Sequence, residues 1–359
     1  MFSASNLEHF TSQVFKSIGC SQADADLAAK VLISADLRGI DSHGIARLSG
    51  YIRLWEKDRI NPKPNIKITH ETPSTAVVDG DAGLGLVVGP NAMKIAMEKA
   101  EKVGTGWCAV KNSNHYGIAG YHAMMALEKD MIGFAMTNAS PLVAPTFSNE
   151  RLLGTNPIAV TIPGKKQPPF VADMATTTAA NGKLEVLMRK GESAPDGWVQ
   201  DSEGNPTNSS SGVKDGGALL PLGGDREHGS HKGYALGAIV DIFSGVLSGA
   251  NYGPWVPPFV SFIEPSKNPV GDGLGHFFGA MRIDAFRPAD EFKDHMDQWM
   301  TRFRNSKTIP GKEKVLIPGD PEREMEKIRS KEGITLSPGV EDELKLLGDR
   351  FGLSLIGGE

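Results

Sequence analysis

The sequence predicts a mixed α/β core flanked by helices at both chain ends. Three observations predict it. The first seventy residues keep helical apolar spacing. From about residue 75 to 283, short β-branched runs alternate with helical stretches. After Pro288 the chain returns to charged, amphipathic helical spacing. A chain of 359 residues is long for one core and suits two parts. The expected division is a helical part at 1–72, packed with helices from 288–359, and an α/β part at 73–287 that binds cofactor and substrate.

The elements follow in order. Ser5-Asn6-Leu7-Glu8 reads as a capping box, and Leu7, Phe10, Val14 and Ile18 share a helical face that Gly19 ends. Ser21 caps a second helix carrying Leu27, Ala28, Val31, Leu32 and Ala35, and Leu48–Trp55 continues helical until Pro62 and Pro64. Strands are expected at 75–79, 107–110, 132–137, 158–162, 170–172 and 279–283. Helices are expected at 90–102, 119–129, 177–189 and 234–247, with residues 190–230 as loop. Phe292, Met296, Trp299 and Phe303 mark a tail helix, and 321–331 another.

Composition narrows the function. The formal net charge is −5 and no Lys/Arg run tracks phosphates, which argues against nucleic acid. Cys20 and Cys108 are too few for a disulfide framework, and MFSASNLEHF has no basic and apolar leader pattern, so a reducing cytoplasmic setting is expected. The least polar stretch, 233–253, carries Asp241 and reads as a buried helix, not a membrane span. Glycine is in excess, 42 residues, yet no standard phosphate loop emerges. Gly83, Gly85 and Gly89 miss the dinucleotide spacing by one. Gly104-Thr105-Gly106-Trp107-Cys108-Ala109 fits the letters but follows a helix and opens a strand, the reverse of what the fingerprint needs.

Histidine clusters carry the chemistry. Asp41-Ser42-His43-Gly44 with Arg47 and Tyr51 would put a proton carrier, a cation and a hydroxyl on one helical face, suited to a small carboxylate. Asn112-Ser113-Asn114-His115-Tyr116-Gly117 follows a strand end, where α/β proteins place ligands, and His115 titrates near working pH. His228, His231 and Lys232 open a helix that could meet an anion. Two histidines three apart lack a third metal ligand, so no metal is expected.

Six segments then carry a resemblance: Asp36 to Gly44, Ser113 to Gly117, Thr137 to Pro141, Gly154-Thr155-Asn156-Pro157, Asp173 to Thr176, and His231 to Tyr234. In this order, and over residues 5 to about 321, the chain resembles the type-2 malate/L-lactate dehydrogenase family. The resemblance implies a non-Rossmann mixed-sheet fold that binds NAD or NADP, a homodimer, and hydride transfer between nicotinamide and C2 of a 2-hydroxy or 2-oxo acid, malate first. It implies His115 as the acid/base, His43 with Ser42 holding or sharing the proton, and Arg47 clamping the carboxylate. Tyr51, Thr155 and Asn156 would line the pocket. Ser140, Asp173, Met174, Ala175, His231, Lys232 and Gly319 would hold the cofactor, Asp173 alternatively orienting a histidine. Within the family, ureidoglycolate, lactate, sulfolactate or a cyclic imine remain open as substrates. Outside it stand a Ser42–His43 or metal hydrolase, and a binding protein on the same fold.

Overall fold

The computed structural model describes residues 1–357. Helix α1 (Ala4–Ser17) is capped by Ser3, whose side chain accepts the Asn6 N–H, so the cap lies two residues before the expected Ser5. Ser21 caps α2 (Gln22–Leu37) as read from the sequence. A 3-10 turn, Ile45–Arg47, leads into α3 (Leu48–Glu56). Strand β1 (Lys67–Glu71) has no counterpart in the sequence reading, because all five residues are exposed and no apolar alternation marks it. Then come β2 (Thr75–Asp79), α4 (Gly85–Val103), β3 (Thr105–Ser113), α5 (Ala119–Met124), β4 (Met131–Thr137), β5 (Ile158–Ile162) and β6 (Phe170–Met174). Gly104 ends α4 and Gly106 lies on β3, so the fingerprint letters form no phosphate loop.

Helix α6 (Asn181–Lys190) starts four residues later than expected, because Thr177 and Thr178 pair with the segment at Leu220 and Pro221. The expected loop at 190–230 holds three two-residue strands, β7 (Val199–Gln200), β8 (Pro206–Thr207) and β9 (Ala218–Leu219), too short to show a period. Helix α7 (Ser230–Asp241) passes into a π turn at Ile242–Val246. Strand β10 (Leu274–Arg282) precedes α8 (Ala289–Arg304), α9 (Asp320–Glu332) and α10 (Pro338–Phe351). The last was not anticipated, although Val340, Leu344 and Leu347 keep helical spacing behind Pro338 in the first turn.

The seven-stranded sheet runs β1-β2-β3-β10-β4-β5-β6, with β2 and β3 parallel and every other pair antiparallel. This is a mixed sheet without a Rossmann topology. Strand β10, late in sequence, sits at its centre between β3 and β4. Helices α4 and α5 cover one face, and α7 with its π turn packs on the other. The first layer is lined by alanine: Ala76, Ala92, Ala96, Ala100, Ala123, Ala135, Ala159 and Ala280 are all buried there, which lets the helices approach the strands closely.

The two chain ends share a second core. Phe2 and Ile334 exchange backbone hydrogen bonds, α10 packs on α1 and α3, and α9 on α2. Helix α8 lies elsewhere, against the α/β part, where Asp297 accepts the N–H groups of Lys165, Lys166 and Gln167. Both cysteines are free and buried. No helix among the described residues is long and apolar enough to cross a membrane.

Candidate active site

The chain leaves α2 at Leu37 and turns sharply through Gly39–Gly44 before the 3-10 turn. His43 and Arg47 therefore do not share a helix as the spacing suggested, but the turn still carries both to one cavity. Two groups hold that turn. The buried Asp36 carboxyl accepts the Ile45 N–H at 2.7 Å, and burial pushes it up to about 8. Arg329, reaching in from α9, binds the Asp36 carbonyl and the Asp41 carboxylate. The C-terminal helices thus set the position of Ser42 and His43.

Ser42 Oγ lies 2.8 Å from His43 Nδ1. The His43 ring stacks on His115 with centroids 5.8 Å apart. His115 comes from the segment after β3, and its Nδ1 is 2.7 Å from the hydroxyl of Tyr51 on α3. Neither ring has a partner on Nε2 among the described residues. Burial lowers His43 to about 4, with Arg47 adding to it. Burial also lowers His115 well below the usual range, helped by His43, Arg47 and His276. Both rings are neutral at pH 7.

The cavity between them is small, about 70 Å³. His43, Arg47, His115, Ser140, Thr155 and Phe259 line it, and the start of α6 closes one side. Phe259 lies against His115 with centroids 4.5 Å apart. Ser140 Oγ accepts the Phe259 N–H, which fixes that ring over the histidine.

Several expected site residues stand elsewhere. Tyr51 is fully buried, its hydroxyl faces His115 Nδ1, and it is not among the residues that line the cavity. Asn156 is buried with its amide bonded to the Ala139 N–H and the Gly237 carbonyl, which turns it into a brace behind the pocket wall. Asp173, Met174 and Gly319 line a second cleft of about 360 Å³, with Arg38, Ile40, Val171, Ile317 and Pro318 among its walls. Ala175 follows just past the end of β6. The Asp173 carboxylate accepts the Gly120 N–H at 2.8 Å and is bonded to no histidine among the described residues. Surrounding protein pushes it up to about 6, against the pull of that bond and of Arg38. His231 and Lys232 lie in the first turn of α7, in neither cleft, with Arg226 on His231 Nδ1. His228 faces Asp225, and no group of three or more His, Cys, Asp or Glu among the described residues is arranged to hold a metal ion.

Sequence reasoning missed Asp36, Phe259 and Glu185. Asp36 opens one of the segments that carry the resemblance, but nothing in its spacing assigned it a role. Phe259 and Glu185 lie more than a hundred residues from His115 and Arg47, the residues they touch, and no local spacing announces them.

Two neutral imidazoles and an arginine meet at one cavity beside a mixed non-Rossmann sheet, an arrangement that suits a small carboxylate. Residues 2–345 match the family described as malate/L-lactate dehydrogenase. The chain is 48% identical to a malate dehydrogenase of Pyrococcus abyssi over 96% of its length and 93% of the relative's. It is 39% identical to an L-sulfolactate dehydrogenase of Methanocaldococcus jannaschii, covering 95% and 94%. Its fold superposes on the crystal structure of malate dehydrogenase from Entamoeba histolytica with a TM-score of 0.91, at 36% identity and covering 99% of each chain. The chain belongs to the malate/L-lactate dehydrogenase family.

Proposed function

We propose that the protein is an NAD-linked malate dehydrogenase that interconverts malate and oxaloacetate, with NADP as the second candidate cofactor. One observation carries the reading: the stacked, neutral His43–His115 pair shares one cavity with Arg47. The high identity to a malate dehydrogenase favours malate over sulfolactate, ureidoglycolate or lactate.

Nicotinamide supplies the hydride acceptor for the C2–H bond. The chain's own residues do the rest. Arg47 grips the carboxylate next to C2 and fixes its orientation. His115 Nε2 takes the hydroxyl proton in oxidation and returns it in reduction. Tyr51 holds His115 Nδ1, so the ring cannot rotate away from the cavity. His43, backed by Ser42, packs on the same ring and shares the proton load. Phe259 and the start of α6 wall the cavity in which the exchange takes place.

The second cleft fits a flat group with hydroxyls beside it. Val171, Met174, Ile317 and Pro318 offer apolar walls, the Asp173 and Glu322 carboxylates offer acceptors, and Arg38, paired with Glu326, is the cation at its edge. The turn Gly39–Gly44 borders both clefts, Ile40 on one and His43 on the other, so one ligand can span them. Asp173, Met174 and Gly319 would hold NAD there, and Ser140 and Thr155 would meet it in the histidine cavity.

We also propose a homodimer in the cytoplasm. Ile132, Phe134, Met136, Ile158, Val160 and Trp107 leave one sheet face half-buried, and the adjoining α7 and π turn expose Ile239, Ile242, Val246 and Leu247. A second copy is the partner that buries such a surface. The two buried, free cysteines suit a reducing compartment.

A panel of malate, lactate, sulfolactate and ureidoglycolate, each with NAD and with NADP, tests the activity. The largest kcat/KM is expected with malate and NAD, read as reduced-nicotinamide absorbance. No absorbance with any pair overturns the reading.

A further inference from the structure

Arg47, the cation in the histidine cavity, is already occupied. Its Nε donates to the Ser42 carbonyl at 2.5 Å, and its Nη2 to Glu185 Oε2 at 3.1 Å. Glu185 belongs to α6, and Asn181, one turn earlier, donates to its other carboxylate oxygen at 2.9 Å. Asn181 and Gly182 line the cavity. The helix start is pressed onto the catalytic turn. A Cβ at Gly182 would stand 2.7 Å from Ser42 Cβ and 2.8 Å from Arg47 Nη2, so only glycine fits. Elsewhere α6 is lightly held: Gly182 and Leu184 are its buried residues, while Val186 and Met188 are exposed.

We propose that Glu185 is a specificity-determining residue. Its carboxylate holds Arg47 Nη2 and sets the net charge that an entering acid meets. This rests on the reading that Arg47 receives the substrate carboxylate. A two-bond grip through Nη1 and Nη2 places that carboxylate beside Glu185, like charge against like. No second cation lines the cavity among the described residues. A dianion therefore feels Glu185 more than a monoanion of the same shape, and α6 must loosen its hold on Arg47 as the ligand enters.

Glu185→Gln keeps an acceptor for Asn181 and removes the charge. Oxalate and oxamate are matched probes, nearly the same size and one charge apart. In Glu185→Gln the dissociation constant of oxalate, measured with NAD bound, is expected to fall about fivefold, the scale of a partly exposed ion pair. That of oxamate falls less, and the KM for oxaloacetate drops with oxalate while kcat moves less than KM. Arg47→Met is measured in parallel and weakens both probes if Arg47 is the carboxylate anchor. If Arg47→Met weakens them but Glu185→Gln leaves oxalate unchanged, weakened or shifted equally with oxamate, the Glu185 proposal is overturned and the Arg47 anchor stands. If Arg47→Met changes neither probe, the anchor itself fails, and the proposal with it.

Discussion

Two imidazoles stacked 5.8 Å apart in a buried cavity cannot both carry charge, and burial keeps both neutral. That state has a sign. Oxidation needs the neutral ring as base. With His43 at about 4 and His115 well below its usual range, kcat/KM for malate oxidation should stay level as pH falls from 7 toward 5. Reduction of oxaloacetate needs the protonated ring and should speed up over the same interval. Profiles of kcat/KM in both directions check this, and an acid limb in oxidation near the ordinary histidine value of about 6.5 contradicts it. At this scale the sequence was partly legible. His43, Arg47 and His115 are marked by their motifs. That Tyr51 faces a histidine, and that Asn156 faces backbone, depends on where a side chain points, and residue type carries no such information.

At the scale of elements, the catalytic turn is held by α2 and α9. Asp36 accepts the Ile45 N–H as a carboxyl whose value burial raises to about 8, against about 4 in an unfolded chain. Below pH 4 it is neutral in both states. Between those values the folded protein binds a proton that the unfolded chain has lost, so stability falls as pH rises toward 8. Asp36→Asn keeps a carbonyl acceptor and has no charge to bury. Its melting temperature relative to the unsubstituted protein should rise by about 2–4 °C between pH 5 and 8. A difference that is constant with pH, followed by thermal melts, contradicts a buried neutral carboxyl. Strands β2, β4 and β5 were legible because half-buried pairing imposes alternation. Strand β1, exposed throughout, and the two-residue strands β7 to β9 leave no period to read.

For the whole molecule, the two ends of the chain form one helical core, and a late strand completes the centre of the sheet. The helices at the two ends were readable separately; their meeting depends on contacts more than 280 residues apart, such as Arg38 with Glu326 and Arg329 with Asp41. The proposed dimer sets a second copy on the apolar sheet face beside α7. Val246→Asp places a charge in that surface and should shift the protein from dimer to monomer at micromolar concentration by light scattering. An unchanged mass places the interface elsewhere.

The central claim is that His115 Nε2 moves the proton while Tyr51 and His43 hold the ring. Single-turnover and steady-state rates of His115→Ala with malate and NAD test it most directly. The expected kcat is lower by about a hundred- to ten-thousandfold, with NAD affinity retained. A kcat within a few-fold of the unsubstituted enzyme would contradict it.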